Sequence, residues 1–248
     1  MNLIAAFIAE AARRPQQTAI IDARGRSITF SELVERSERV ASAWRARGLR
    51  SGDRVLLAMG IGIDLYVALA AAWHIGAVVV FPEPALGLKG LRHAAKTTEP
   101  KAYLSSGWYR ALRWIVPELH AAPLALSPHD TGGGDHSADD VPGDHPALIS
   151  FTSGSTGVPK TIVRTHGFLS AQNACVSELL RPGSEGAIDL VAFPVFVIAN
   201  LGMGITSVLP NWNVRRHDTA DAARIVQHMA AHGAVSYTHL TLPTSDLV

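Results

Sequence analysis

Residues Ile149–Lys160 read ISFTSGSTGVPK. An apolar, β-compatible run enters a loop of hydroxyls and glycines, which a proline and a lysine close. Gly154 and Gly157 allow the backbone to approach an anion closely and to take φ > 0. Successive N–H groups in such a turn can form an anion-binding nest. Thr152, Ser153, Ser155 and Thr156 add hydroxyl donors, and Lys160 adds a mobile positive charge. The stretch therefore reads as a phosphate cradle, and spacing excludes two common kinds. The G-x-x-x-x-G-K-S/T pattern fails because Gly154 and Gly157 are too close together and Pro159 precedes the lysine. The dinucleotide pattern G-x-G-x-x-G fails because Ser155 and Thr156 follow Gly154 directly.

The chain around this loop has 248 residues, 48% hydrophobic and 17% charged, enough for one large domain or two lobes. A net charge of +1 gives no bulk electrostatic case for nucleic acid or an anionic membrane. Cys175 is the single cysteine, so no internal disulfide exists; it reads as a lone buried thiol in a reducing cytoplasm. The N-terminal MNLIAAFIAEAARRP lacks a basic leader region and is interrupted by Glu10, Arg13 and Arg14, as in an amphipathic helix. Two apolar runs, 65–81 and 190–210, approach membrane-spanning length. The first breaks at Gly76 into AVVVF, and the second contains Pro194, Gly202 and Gly204. Both read as buried α/β elements and not as membrane spans.

Strand-like and helix-like segments alternate along the chain. Helices are expected at 3–12, from the Thr29/Glu32 capping box to Gly48, and at 64–75, 88–97, 109–116, 167–180, 197–206 and 219–232. Strands are expected at 18–22, 27–30, 54–59, 77–81, 102–105, 124–127, 147–151, 161–166 and 190–193. This alternation implies crossover units and a largely parallel sheet. Residues 128–145, with TGGGDHSADD at their centre, read as a surface loop or interlobe linker. The histidines show no metal-ligand spacing such as H-E-x-x-H, so no protein metal site is expected. Asn200 stands out in its apolar run, because a buried amide must find partners.

FTSGSTGVPK meets the Y/F-T-S-G-S/T-T-G-x-P-K pattern of the adenylate-forming enzymes at every position. The chain resembles that superfamily of acyl-CoA synthetases, luciferases and peptide-synthetase adenylation domains. SITFSEL at 27–33 is similar to its early S/T-Y-x-E-L motif, with Phe30 for the tyrosine. AAWHIGAVVVFPEPAL at 71–86 is similar to its G-A-x-x-x-P segment, with one extra residue before the proline. Segments 83–104 and 192–210 resemble the branch that holds β-lactone synthetases and related fatty-acyl adenylating proteins. Val197 departs from the histidine that many members carry after P-x-F/Y.

The resemblance implies an α/β fold with the layered αβα sheets of an adenylate-forming N-terminal domain, truncated. Residues 1–235 would be that partial domain, with loop 128–145 between two sublobes. The later Y-G-x-T-E region, the ribose-binding aspartate and the late lysine have no counterpart, so a C-terminal domain would be absent. SYTHLTLPTSDLV at 236–248 reads as a non-native tail, and such a fragment would bind ATP weakly and form no adenylate. The implied chemistry is attack of a carboxylate, of fatty-acyl type, on the α-phosphate of ATP with Mg2+ present. Coenzyme A, a carrier thiol or an internal hydroxyl would be the acceptor. Thr152, Ser153, Gly154, Ser155, Thr156, Gly157 and Lys160 would hold the leaving phosphates, with Lys160 catalytic. Phe196, Val197 and Asn200 would line the acyl site, and His166 would orient the following helix. The other reading is a non-catalytic acyl- or nucleotide-binding module.

Overall fold

The computed structural model describes residues 2–82, 87–134, 136–152, 160–180, 186–193, 195–212 and 221–238. The chain opens with α1 (Ile4–Arg13), β1 (Thr18–Ile21), β2 (Ser27–Thr29) and α2 (Phe30–Ala46). The capping box forms as the spacing predicts: Thr29 Oγ1 accepts the Glu32 N–H at 3.2 Å and Glu32 Oε2 accepts the Thr29 N–H at 2.8 Å. Two otherwise orphaned donors at the start of α2 are thereby satisfied.

Next come β3 (Arg54–Ala58), α3 (Ile63–His74), β4 (Val78–Phe81), α4 (Gly87–Thr98) and β5 (Ala102–Ser105). The segment expected as one helix over 109–116 is instead a 3-10 turn at Gly107–Ala111 followed by α5 (Leu112–Ile115). Then follow α6 (Pro117–His120), β6 (Leu124–Leu126), β7 (Pro146–Thr152), β8 (Lys160–Thr165) and α7 (His166–Leu180). The last described elements are β9 (Ile188–Val191), α8 (Val195–Met203), β10 (Thr206–Val208), α9 (Ala222–His232) and β11 (Ser236–Thr238).

Two sheets result. One has the order β6-β5-β3-β4-β7-β8, parallel except for the β7–β8 pair. The other has the order β11-β9-β10-β1-β2, parallel except for β1–β2. The six-stranded sheet is buried on both faces, and strand alternation divides its side chains between two cores. Val55, Leu57, Val79, Leu104 and Ala147 join α1, α2, α3 and the five-stranded sheet in one core. Leu56, Val78, Val80, Tyr103, Ile149 and Phe151 join α4, α5 and α6 in the other.

The 65–81 run is the expected helix, turn and strand, and among the described residues no helix is long and apolar enough to cross a membrane. Other expectations change. The helix expected at 197–206 ends at Met203, because Gly204 takes φ 69° and Thr206–Val208 leave as β10. Cys175 is exposed, not buried: α7 buries His166 and Leu169 near its start, whereas Cys175 lies on its open side. Residues 128–145 join β6 to β7 within one sheet and are pinned to α2. Trp44 Nε1 donates to Asp130 Oδ2 at 3.1 Å, Arg45 Nη2 donates to Asp139 Oδ1 at 2.8 Å, and Val141 is buried. Beyond Val235, β11 pairs in parallel with β9, Tyr237 opposite Leu190, so the sheet takes up three residues of the stretch read as a tail. Residues 239–248 lie outside the described residues.

Two glycines give opposite tests of this packing. A Cβ on Gly132 would stand 2.8 Å from the Ala43 backbone. Gly132→Ala is expected to lower stability by about 1–3 kcal/mol, because the 128–145 segment must lift off α2. A Cβ on Gly202, inside α8, meets only ordinary contacts at 3.5 and 3.8 Å. Gly202→Ala is expected to raise stability by about 0.5–1 kcal/mol through helix propensity. Urea unfolding of the two variants measures both signs.

Candidate active site

The β7–β8 hairpin flanks the candidate site. β7 lies parallel to β4, with Val80 opposite Ile149 and Phe81 opposite Ser150. The carboxyl ends of β3, β4, β5 and β7 therefore share one edge of the sheet, and the phosphate-type stretch begins where β7 ends. Ser153, Gly154, Ser155, Thr156 and Gly157 lie outside the described residues. The chain re-enters at Lys160, which starts β8 opposite Thr152 in register and is exposed. In open α/β sheets, ligands bind outside the carboxyl ends of the strands.

Arg164 belongs to the same hairpin and was not singled out in the sequence. Its Nη1 donates to Ser150 Oγ at 2.5 Å, bracing the two strands below the loop. Register explains the contact. Arg164 pairs with Leu148, and Ser150 with Ile162, so both side chains stand on one face. The available signal was a cation at even spacing from Lys160 on a strand.

His166 begins α7 directly after β8 and is fully buried. Its Nδ1 accepts the Leu3 N–H at 3.0 Å, which puts the ring proton on Nε2. That Nε2 has no partner among the described residues. The His166 N–H donates to the His145 carbonyl at 3.0 Å, and the Gly167 N–H donates to the Gly143 carbonyl at 2.7 Å. The start of α7 is thus pinned to the N-terminus and to the end of the 128–145 segment. Burial pushes the His166 imidazole down to about 4, aided by His145 and the N-terminal amine. Burial likewise lowers His74 at the end of α3 to about 4, aided by Arg45 and His136.

The three residues expected to line an acyl site part company. Val197 is fully buried in the core between the sheets, and Phe196 packs half-buried against that core. Asn200 is fully buried, and its Nδ2 donates to Asp189 Oδ2 at 3.0 Å and Ser207 Oγ at 3.1 Å. Ser236 Oγ donates to Asp189 Oδ1 at 2.8 Å. One buried carboxylate and one amide thus link α8 to β9, β10 and β11. Asn200 Oδ1 has no partner among the described residues.

A hydroxyl- and glycine-rich segment carried at the carboxyl edge of a mostly parallel sheet defines an α/β protein of the nucleotide-binding kind. The chain belongs to the AMP-binding enzyme family, which it matches over residues 7–211. It is 28% identical over 260 residues to an olefin beta-lactone synthetase of Xanthomonas campestris pv. campestris, covering 94% of this chain and 46% of that protein. It is 33% identical over 223 residues to a feruloyl-CoA synthase of an Amycolatopsis species, covering 86% of this chain and 43% of that protein. The apo structure of Mycobacterium smegmatis MbtA superposes with a TM-score of 0.79 at 25% identity, over 96% of this chain and 47% of that one. The chain spans about half the length of the curated relatives it matches.

Two outcomes follow from the buried polar groups. Unfolded histidine takes up its proton near pH 6.5, whereas His74 and His166 resist until about 4 in the fold. The unfolded state therefore binds more protons across that window, and stability falls as pH drops from about 6.5 to about 4. His166→Asn keeps an acceptor for the Leu3 N–H and is expected to flatten this slope in chemical denaturation at stepped pH. Asn200→Ala leaves Asp189 buried with fewer donors and is expected to cost about 2–4 kcal/mol in the same assay.

Proposed function

We propose that this chain carries the phosphate-binding half-site of an ATP-dependent acid-activating enzyme. A substrate carboxylate oxygen attacks the α-phosphorus of ATP. The bond to the bridging oxygen breaks, and pyrophosphate leaves with its electron pair, giving an acyl-adenylate. Such in-line displacement is driven mainly by positioning and charge neutralisation. The carrying observation is that FTSGSTGVPK runs from the carboxyl end of β7 to the exposed Lys160 at the start of β8.

In this reading the hydroxyls of Thr152, Ser153, Ser155 and Thr156 and the N–H groups around Gly154 and Gly157 hold the β- and γ-phosphates. Lys160 neutralises charge as pyrophosphate departs. Mg2+ would arrive with the nucleotide and would supply charge neutralisation for its phosphates. The proposed acid is fatty-acyl, with coenzyme A, a carrier thiol or an internal hydroxyl as acceptor. Similarity to the β-lactone synthetase and the apolar 190–210 segment support this choice. Phe196, half-buried at the start of α8, is the proposed lining residue, with Val197 and Asn200 supporting it from the core.

The test needs no acceptor. MgATP or magnesium pyrophosphate is expected to raise the melting temperature of the 248-residue chain, and Lys160→Ala to reduce the shift. In a longer protein containing this chain, Lys160→Ala is expected to lower carboxylate-dependent exchange of pyrophosphate into ATP by about 100-fold or more. Unchanged exchange would remove Lys160 from the mechanism.

A further inference from the structure

The β7–β8 hairpin changes register along its length. Pro146 pairs with Thr165, but Leu148 pairs with Arg164, so Ala147 is an extra residue on β7. From there the ladder runs without interruption to Thr152 opposite Lys160. On the other side of the change, the His166 N–H donates to the His145 carbonyl. The exit of β8 is thus set in one register, and the end that carries Lys160 in the next.

The second register depends on specific contacts. β7 is held by β4 along its other edge, whereas β8 is the last strand of its sheet and is held on one side only. None of the six side chains of β8 is fully buried, so no inward-facing apolar row selects a register for it. Two contacts act at the change. The Ala147 carbonyl accepts Trp73 Nε1 at 3.0 Å, and both residues are buried, which keeps the extra residue in place. Beside it, Arg164 Nη1 donates to Ser150 Oγ at 2.5 Å. Ser150 pairs with Ile162 and not with Arg164, so this bond runs diagonally between neighbouring rungs of one face. A slip of one residue would carry its two partners to opposite faces of the sheet.

We infer that Arg164 is a positioning residue for Lys160, holding the loop end of the hairpin in the register that the Ala147 bulge introduces. Without the bulge, the register of the exit would continue and Lys160 would stand opposite Phe151, whose side chain is buried in the α4–α6 core. Directly opposed residues share a face, so Lys160 would turn toward that side and away from the face it shares with Ile162 and Arg164. Arg164 lies four residues from Lys160, about 13 Å along the strand, and acts through the backbone. The functional consequence rests on the phosphate-binding role proposed for Lys160; the register does not.

Arg164→Ala, Ser150→Ala and the double variant of the 248-residue chain test the inference with two readouts. The first is the register itself, read from nuclear Overhauser contacts between backbone protons of Ile149 and Val163 and of Phe151 and Thr161. These contacts are expected in the parent and are expected to weaken in all three variants, with contacts between Phe151 and Lys160 in their place. The second is affinity for magnesium pyrophosphate, measured by calorimetry. Each single variant is expected to bind about tenfold more weakly, and the double variant no more weakly than either, because both substitutions remove the same bond. Ser150→Ala leaves the arginine's charge in place, so its loss of affinity separates positioning from direct attraction of the anion. Both side chains are half-buried, and the variants should keep the parent's circular dichroism. The inference is overturned if the variants keep the parent's backbone contacts, if they bind pyrophosphate as tightly as the parent, or if only Arg164→Ala weakens binding. A parent that binds no pyrophosphate refutes the role proposed for Lys160, and the backbone contacts then still decide the register.

Discussion

The parallel pairing of β7 with β4 is the constraint on which the rest of the molecule depends. It places the carboxyl end of β7 beside those of β3, β4 and β5, so the segment after Thr152 emerges at the edge where such sheets bind ligands. β8 then returns antiparallel, bringing Lys160 back opposite Thr152. Arg164 and Ser150 brace the hairpin from below, and His166 and Gly167 fix its exit to residues 143–145 and to the N-terminus. The loop is short, but its two ends are held by contacts that reach across 163 residues of chain.

That pairing is possible because the sheet is dry on both sides. Val79 and Leu57 face one core while Val80 and Leu56 face the other, which requires apolar residues at every position of a central strand. The five-stranded sheet solves its own packing differently. Asp189, 2% exposed, would be costly alone, and Asn200 and Ser236 donate to its two carboxylate oxygens. The same contacts tie α8 to three strands, so a polar group in an apolar helix serves register and not solvent.

The sequence made the local features legible. The Thr29/Glu32 box and the Gly76 turn each depend on residues a few positions apart, and each forms where spacing predicts. What escaped reading depends on distant contacts. β10 (Thr206–Val208) was hidden at the end of a mostly apolar run, where helix and strand cannot be told apart by periodicity. The polar composition of 128–145 reads as a surface loop or interlobe linker, but Gly132 and Asp139 find partners on α2 and α3, and Val141 is buried beside Gly76, which no local pattern announces. Asn200 was flagged correctly as needing partners, yet only the fold shows that they are Asp189 and Ser207. Trp114 falls in the helix expected over 109–116; its exposure follows from the burial of Leu112 and Val116 on the other side of that segment.

The central claim is that residues 152–160 are the phosphate-binding element of this chain. Amide hydrogen exchange of the 248-residue protein, with and without magnesium pyrophosphate, tests it most directly. The account predicts slower exchange across 152–160 and at the facing carboxyl ends of β3 and β4, with the amino ends of those strands unchanged. Protection that appears elsewhere and leaves 152–160 unaltered would contradict it.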